Sequence, residues 1–299
     1  MAAAIEVGNA PVSYGAFERT VGIDENVPEG SAVLDAVQSA GYRGVDLGPL
    51  GYLGDIHTLP GALGKRTLLL TGAYLEVDVS SEEGRRRGMA ELAAMLDLFD
   101  ALERVEDPWR PRPTVALVDG APSEALTVRP DQATWDGAMG VLSELSAAAR
   151  RRGYEACLHN EVGTLVATAD QVAAAAREVG AAVCVDTGHL LAAGGDPLEL
   201  LSALQASVRH VHVKDVTAEG LEVMACETAI ASDVWLKSVF CPLGAGVGRI
   251  AEIVDLLVSN GYEGWVVVEQ DVLPHGSDGY KQAAENQVAS RVYLRTLGL

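Results

Sequence analysis

The stretch Val208–Val216, VRHVHVKDV, decides how this chain is read. It is apolar enough for a buried strand, yet His210, His212, Lys214 and Asp215 crowd its end. Side chains alternate between the two faces of a strand, so His210, His212 and Lys214 share one face while Val211 and Val213 take the other. Burying three polar groups costs free energy unless each meets a partner. Something inside the fold must therefore meet them.

Seven further β-type runs accompany it. They are AIEVGNAPV around Ile5, YRGVDLG from Tyr42, TLLLTGAYLEV from Thr67, TVALVDG from Thr114, YEACLHNE from Tyr154, AAVCVDTGH from Ala181 and GWVVVEQD from Gly264. Between them lie helical stretches: GSAVLDAVQSAG, SEEGRRRGMAELAAMLDLFDALERV, DQATWDGAMGVLSELSAAARRRG, TADQVAAAAREVG, DPLELLSALQAS and GRIAEIVDLLVSNG. Several open at Ser, Thr or Asp and close at Gly, as helix caps require. PLGYLGDIHTLPGALGKR, between the second and third runs, has the weakest helical signal. Eight strands alternating with helices, with no linker or low-complexity tract, predict one domain over residues 1–299, an α/β fold of the (β/α)8 TIM-barrel kind.

Composition narrows the function. The chain has 299 residues, 48% hydrophobic and 21% charged, enough to bury a core without disulfides. Its 42 acidic and 22 basic residues leave a net charge of −20, which repels a phosphate backbone and disfavours nucleic acid as a partner. Apolar stretches are short and broken, so no membrane span is expected, and MAAAIEVGNAP lacks a basic region followed by a long apolar one. A cytoplasmic protein is the expectation. Cys157, Cys184, Cys226 and Cys241 form no Cys-x-x-Cys pair and read as structural.

In such a barrel catalytic groups stand at the C-terminal ends of strands. Glu161, Asp186 with His189, His212 with Lys214, and Glu269 close four consecutive runs, so the fold makes their ends neighbours. Three carboxylates at one rim repel unless a cation shares the site. Three oxygen ligands and one imidazole suit a divalent ion such as Mn, Mg, Co or Zn, with Glu161, Asp186, His212 and Glu269 as the metal ligands. His159, His210 and Lys214 then support those ligands or bind substrate. Blander readings exist for single residues. His210 reads as a hydrogen-bonded core histidine, Lys214 also fits a structural ion pair, and His57 and His275 lie in Gly- and Pro-containing loops exposed to solvent. CPLGAGVGRI, with Gly244, Gly246 and Gly248, matches neither dinucleotide spacing nor a P-loop and reads as a turn beside the site.

GNAPVSYG, VDLGPLGYLG, LHNEVGT, VDTGH, HVHVKD, PLGAGV and GYEGWVVVEQD together resemble the xylose-isomerase-like barrel superfamily, in particular its sugar phosphate isomerase/epimerase group, which includes inosose dehydratase. The likeness runs from about Val7 to Asp271. It implies metal ligation by Glu161, Asp186, His212 and Glu269, and substrate contact by His189. Inosose dehydratases often carry a run of histidines where this chain has LHNE, and often a Trp where it has Tyr14.

The chemistry that follows is metal-assisted proton abstraction next to a carbonyl, giving an enediolate. Glu161 or Glu269 serves as general base, and His189, His159 and Lys214 contact a keto-sugar or keto-cyclitol substrate. Reprotonation gives epimerisation or isomerisation, whereas loss of a β-hydroxyl gives an inosose dehydratase-type lyase. The same superfamily includes apurinic endonucleases, against which six histidines and the acidic balance speak. A barrel that has lost its chemistry, serving as a sugar-binding or partner subunit, is the non-enzymatic alternative, and a homo-oligomer is compatible with any of these.

Overall fold

The structure, a computed structural model, describes residues 5–102, 105–106, 108–274 and 278–299. His275 lies outside them. The eight runs become strands β1 (Ile5–Asn9), β2 (Gly44–Val45), β3 (Leu69–Leu70) with β4 (Gly72–Asp78), β5 (Arg112–Val118), β6 (Cys157–His159), β7 (Ala182–Asp186), β8 (Val208–Val213) and β11 (Gly264–Val268), with the short β9 (Asp215–Val216) and β10 (Phe240–Cys241) between the last two. All but β9 and β10 form one sheet in the order β3-β2-β1-β11-β8-β7-β6-β5-β4, with parallel pairing throughout.

The third run supplies both ends of that order, because it breaks at Thr71. Its first half pairs with β2 and its second with β5, and the ring closes through the kink: Thr71 N–H donates to Val45 O at 3.0 Å and Arg112 N–H to Thr71 O at 3.2 Å. Gly72 permits the close approach, since a Cβ there would stand 2.6 Å from Arg112 O. The result is a closed eight-stranded barrel, as the alternating runs predict.

The helices are α1 (Gly30–Ala40), α2 (Leu59–Gly64), α3 (Glu82–Ala101), α4 (Gln132–Arg151), α5 (Ala169–Val179), α6 (Thr187–Ala192), α7 (Pro197–Ala203), α8 (Ala218–Met224), α9 (Asp233–Leu236), α10 (Ile250–Ser259) and α11 (Gly279–Thr296). The weak second crossover is the six-residue α2. The final helix α11, which the runs above do not include, packs on α1 and η-turn residues Pro11–Tyr14. Ser81, Asp131, Thr168, Asp186, Asp196 and Thr217 accept N-cap hydrogen bonds, fixing where helices begin after strands.

Strand residues facing outward, such as Val211, Val213, Val266 and Val268, join Ile253, Val254 and Leu257 of α10 in one continuous apolar cluster. Inside the barrel, the fully buried Trp265 fills the lower end, close enough to Gly44 to leave no room for a Cβ. Residues between β9 and β10 build a cap with its own small core of Met224, Ala231, Val234 and Val239 on Val162, Ala192 and Phe240. The cap is tied to the loop after β5, where Ala231 N–H donates to Glu124 O at 2.7 Å. Buried histidines and carboxylates converge at the C-terminal rim, beneath the cap.

Candidate active site

Parallel register sets the site. Asp186 and His212 are paired across β7 and β8, and Val267 pairs with His212, so Glu269 stands one step higher on the same face. Ligand atoms of Asp186, His212 and Glu269 lie within 4.8 Å of one another, and all three residues are buried. Asp186 ends β7 and caps α6, its Oδ1 accepting the His189 N–H at 2.9 Å. Asn160 clamps the Asp186 backbone, accepting its N–H at 2.9 Å and donating to its O at 3.0 Å.

Lys214 meets the carboxylates. Its Nζ lies 2.6 Å from Asp186 Oδ2, 2.8 Å from Glu269 Oε2 and 3.2 Å from Asp271 Oδ1. Burial works against its charge, but Asp186, Asp271 and Glu269 outweigh it and raise the ammonium's pKa well above the ordinary lysine value. Burial likewise opposes the carboxylates, yet Lys214 and then His189 hold Asp186, and His212 and then Lys214 hold Glu269, below the usual range. The ion-pair reading of Lys214 thus describes its contacts, within the site rather than apart from it.

Asp186, His212 and Glu269 stand within 4.8 Å of one another, and Glu161 lines the same cleft two residues beyond His159. Strand β6 ends at His159, so it is His159 whose Nε2 comes 3.4 Å from Asp186 Oδ2 and whose ring centroid lies 5.0 Å from that of His212. Glu161, past the turn, has an oxygen 3.9 Å from His159 Nδ1 and accepts a 2.5 Å hydrogen bond from the Tyr74 hydroxyl. Burial keeps His159 and His210 below the ordinary imidazole pKa, so both are neutral at pH 7. His189 Nε2 lies 3.2 Å from Asp271 Oδ2. Burial and Lys214 depress it, but Asp186 and Asp271 prevail and raise it.

Tyr74, Asp46 and Asp271 are site residues the strand-end rule passed over. Two had a signal: Asp271 follows Glu269 by two, and Tyr74 precedes Glu76 by two, the period that keeps residues on one strand face. Burial pushes the Asp46 carboxyl up to about 6. His210 is fully buried, but neither ring nitrogen has a hydrogen-bond partner among the described residues, so the expected hydrogen-bonded core histidine is buried without the bonds. His57 is exposed, as expected.

A divalent ion fits what is present. Both ring nitrogens of His159 and of His212 are buried without a hydrogen-bond partner among the described residues, beside the oxygens of Asp186 and Glu269. The carboxylates are ionised and His159 is neutral, the forms in which metals take them, whereas Cys184 and Glu269 outweigh burial and raise His212 well above the ordinary imidazole value, so that a bound ion takes the place of its proton. His159, His212 and Glu269 open into a cleft of about 240 Å³ lined also by Phe17, Glu18, Tyr74, Glu76, Glu161 and Trp235. A larger hollow of about 1060 Å³ at the other end of the barrel contains none of them. No helix among the described residues is long and apolar enough to cross a membrane.

Comparison with known proteins agrees with this architecture. The inosose dehydratase of Geobacillus thermodenitrificans is 30% identical over 169 residues, 55% of this chain and 55% of that protein. The chain thus spans about half the length of the curated relatives it matches. Among solved structures, L-ribulose 3-epimerase superposes with a TM-score of 0.68 at 16% identity, covering 99% of this chain and 94% of that one. The IOLI protein with a bound zinc atom superposes with a TM-score of 0.70 at 15% identity, covering 98% of this chain and 97% of that one. The xylose isomerase-like TIM barrel signature matches residues 34–289, and the chain belongs to that family.

Proposed function

We propose that this protein is an enzyme that removes the proton next to the carbonyl of a keto-sugar or keto-cyclitol, with a divalent ion held by His159, Asp186, His212 and Glu269. The observation that carries the reading is the set of buried imidazole nitrogens without a hydrogen bond among the described residues, with His159 Nε2 3.4 Å from Asp186 Oδ2 and His212 Nδ1 3.3 Å from Glu269 Oε2 at the barrel's C-terminal rim. His159 takes the ligand position that the sequence assigns to Glu161, because it is the last residue of β6 and stands beside Asp186. When bound, the ion supplies Lewis-acid stabilisation of the oxyanion that forms as the proton leaves.

The chain's own groups do the rest. Glu161, freed from ligation and exposed to the cleft, serves as general base, with the Tyr74 hydroxyl donating to its Oε2 and holding its orientation. Lys214 brings a fixed positive charge to the rim, and the His189–Asp271 pair offers a proton donor to a departing or rearranging hydroxyl. Ring-flanking Phe17 and Trp235 narrow the mouth.

Return of the proton gives isomerisation or epimerisation, whereas loss of the β-hydroxyl gives a dehydratase. The curated relatives favour the second outcome, elimination of water from an inosose. The test is metal content of wild type and His212→Ala by elemental mass spectrometry, followed by incubation with 2-keto-myo-inositol and with ketoses in heavy water. One ion per chain, lost in the variant, with deuterium uptake or water loss from a substrate, is the expected result. Absence of a bound ion even after Mn, Co or Zn is supplied overturns it.

A further inference from the structure

The hollow at the other end of the barrel collects arginines. About 1060 Å³ in volume, it lies under the N-terminal ends of β5, β6, β8 and β11, and among the described residues Arg110, Arg112, Arg150 and Arg209 line it with two carboxylates, Glu155 and Glu263. In a chain of 42 acidic and 22 basic residues that balance is inverted. Arg112, which opens β5, is buried, and its Nη1 donates to Glu155 Oε2 at 2.8 Å. The same oxygen is 3.6 Å from Arg209 Nε, too far for a hydrogen bond, and Arg209 Nη1 donates instead to Val208 O at 3.0 Å. Arg110 reaches carbonyls, those of Gly153 at 2.5 Å and Val105 at 3.5 Å, and no carboxylate among the described residues. Arg150 has no ion pair among the described residues.

We propose that this hollow is a second ligand site, for a small organic anion carrying two or more phosphate or carboxylate groups. It shares no residue with the cleft at the C-terminal rim, so its ligand is independent of the ion there. The guanidiniums of Arg110, Arg150 and Arg209 line it without a hydrogen bond to a carboxylate, and each offers a planar fork of N–H donors that matches phosphate or carboxylate geometry. Glu155 shows how such a group is held, since Arg112 and Arg209 already converge on one of its oxygens. A single phosphate fills a small part of the space, so charge spread over three arginines calls for more than one anionic group. Helix dipoles account for Arg150 alone, which lies in the last turn of α4, where a cation offsets the C-terminal end. They leave Arg110, just before β5, and Arg209, at the start of β8, without a role.

Isothermal titration of the full chain with propanediol bisphosphate and with succinate, in about 0.15 M salt, gives the test. Wild type is expected to bind one equivalent. Binding of the bisphosphate alone assigns a phosphate ligand, and binding of succinate alone a carboxylate one. Arg110→Gln and Arg209→Gln, checked for folding by circular dichroism, should each weaken binding about 10-fold or more, as the loss of charge-assisted hydrogen bonds requires. Arg86→Gln, exposed on α3 and outside the hollow, should leave it unchanged. Glu155→Gln removes the internal competitor, keeps an oxygen for Arg112 and should tighten binding about 3-fold or more, a gain that unfolding cannot imitate. No binding of either anion to wild type, binding that survives both arginine changes, or a Glu155→Gln variant that binds no more tightly overturns the site.

Discussion

Asp215 and His212 stand three residues apart in the same stretch, both buried, and the fold treats them in opposite ways. Every side-chain oxygen of Asp215 is met: Oδ1 accepts the N–H of Val216 at 2.9 Å and of Gly248 at 2.8 Å, and Oδ2 those of Gly244 at 2.8 Å and Gly246 at 3.1 Å. The glycines are needed for the approach, since a Cβ on Gly246 would come 2.2 Å from Val216 O and 2.5 Å from Asp215 Oδ1. Backbone amides that in other proteins cradle a phosphate are here turned onto the chain's own carboxylate. Neither nitrogen of His212 makes a hydrogen bond among the described residues, and its Nδ1 only faces Glu269 Oε2 at 3.3 Å. A buried polar group that the fold satisfies belongs to its architecture, whereas one left without a hydrogen bond beside two carboxylates is open to a ligand.

Four experiments press on that contrast, from the largest effect on stability to the smallest. Asp215→Ala orphans the buried amides of Val216 and Gly248 and the part-buried ones of Gly244 and Gly246, and should cost on the order of 4 kcal/mol, at about 1–3 kcal/mol for each buried unmet donor, read by urea denaturation. A loss under about 1 kcal/mol would show that the loop relaxes and that Asp215 is not its keystone. Lys214→Met leaves Asp186, Glu269 and Asp271 to repel, which should cost about 3–5 kcal/mol in metal-free protein. Zn²⁺ should restore part of that loss if cation and ammonium compensate the same carboxylates, and an equal loss with and without Zn²⁺ would argue that they do not.

Asp46 tests the sign of an unmet charge. Its carboxyl, fully buried, has a folded-state pKa of about 6 against an ordinary 3.8. The unfolded chain therefore ionises first, so stability falls as pH rises between these values and the cost is complete above the higher one. Asp46→Asn, which keeps an oxygen for the Gly48 N–H, should stabilise metal-free protein by up to about 3 kcal/mol at pH 7 and by almost nothing near about pH 4. Denaturation midpoints with the same difference at both pH values would contradict the burial of a charge there. The smallest effect on stability belongs to Tyr74→Phe, about 1 kcal/mol or less, because only one hydrogen bond to the part-exposed Glu161 is lost. Turnover should still fall about 10- to 100-fold with metal content unchanged if Tyr74 orients the base; unaltered turnover would remove the pair from the chemistry.

Much of this was legible in the chain. Asp186, His212 and Glu269 could be brought to one rim from sequence because strand alternation and the strand-end rule act locally. Glu161 shows where that reasoning stops. Only one residue separates it from His159, but β6 ends at His159 when Asn160 turns its amide to the Asp186 backbone and Glu161 N–H donates to Val166 O at 3.1 Å. Hydrogen bonds to a neighbouring strand, invisible in the run YEACLHNE, decide where β6 ends and where the loop that carries Glu161 into the cleft begins.

The sequence by itself determined the barrel, since eight apolar runs alternating with capped helices can bury their faces in few other ways, and it determined the acidic, histidine-bearing rim. Tertiary structure decided the partners. It broke the third strand at Thr71 to close the ring, gave Asp215 a cradle of distant glycine amides, and gathered His212, Asp186 and Glu269 within 4.8 Å of one another. Such choices depend on register between strands far apart in the chain, and a shift of one residue in that register would turn every one of these side chains to the other face.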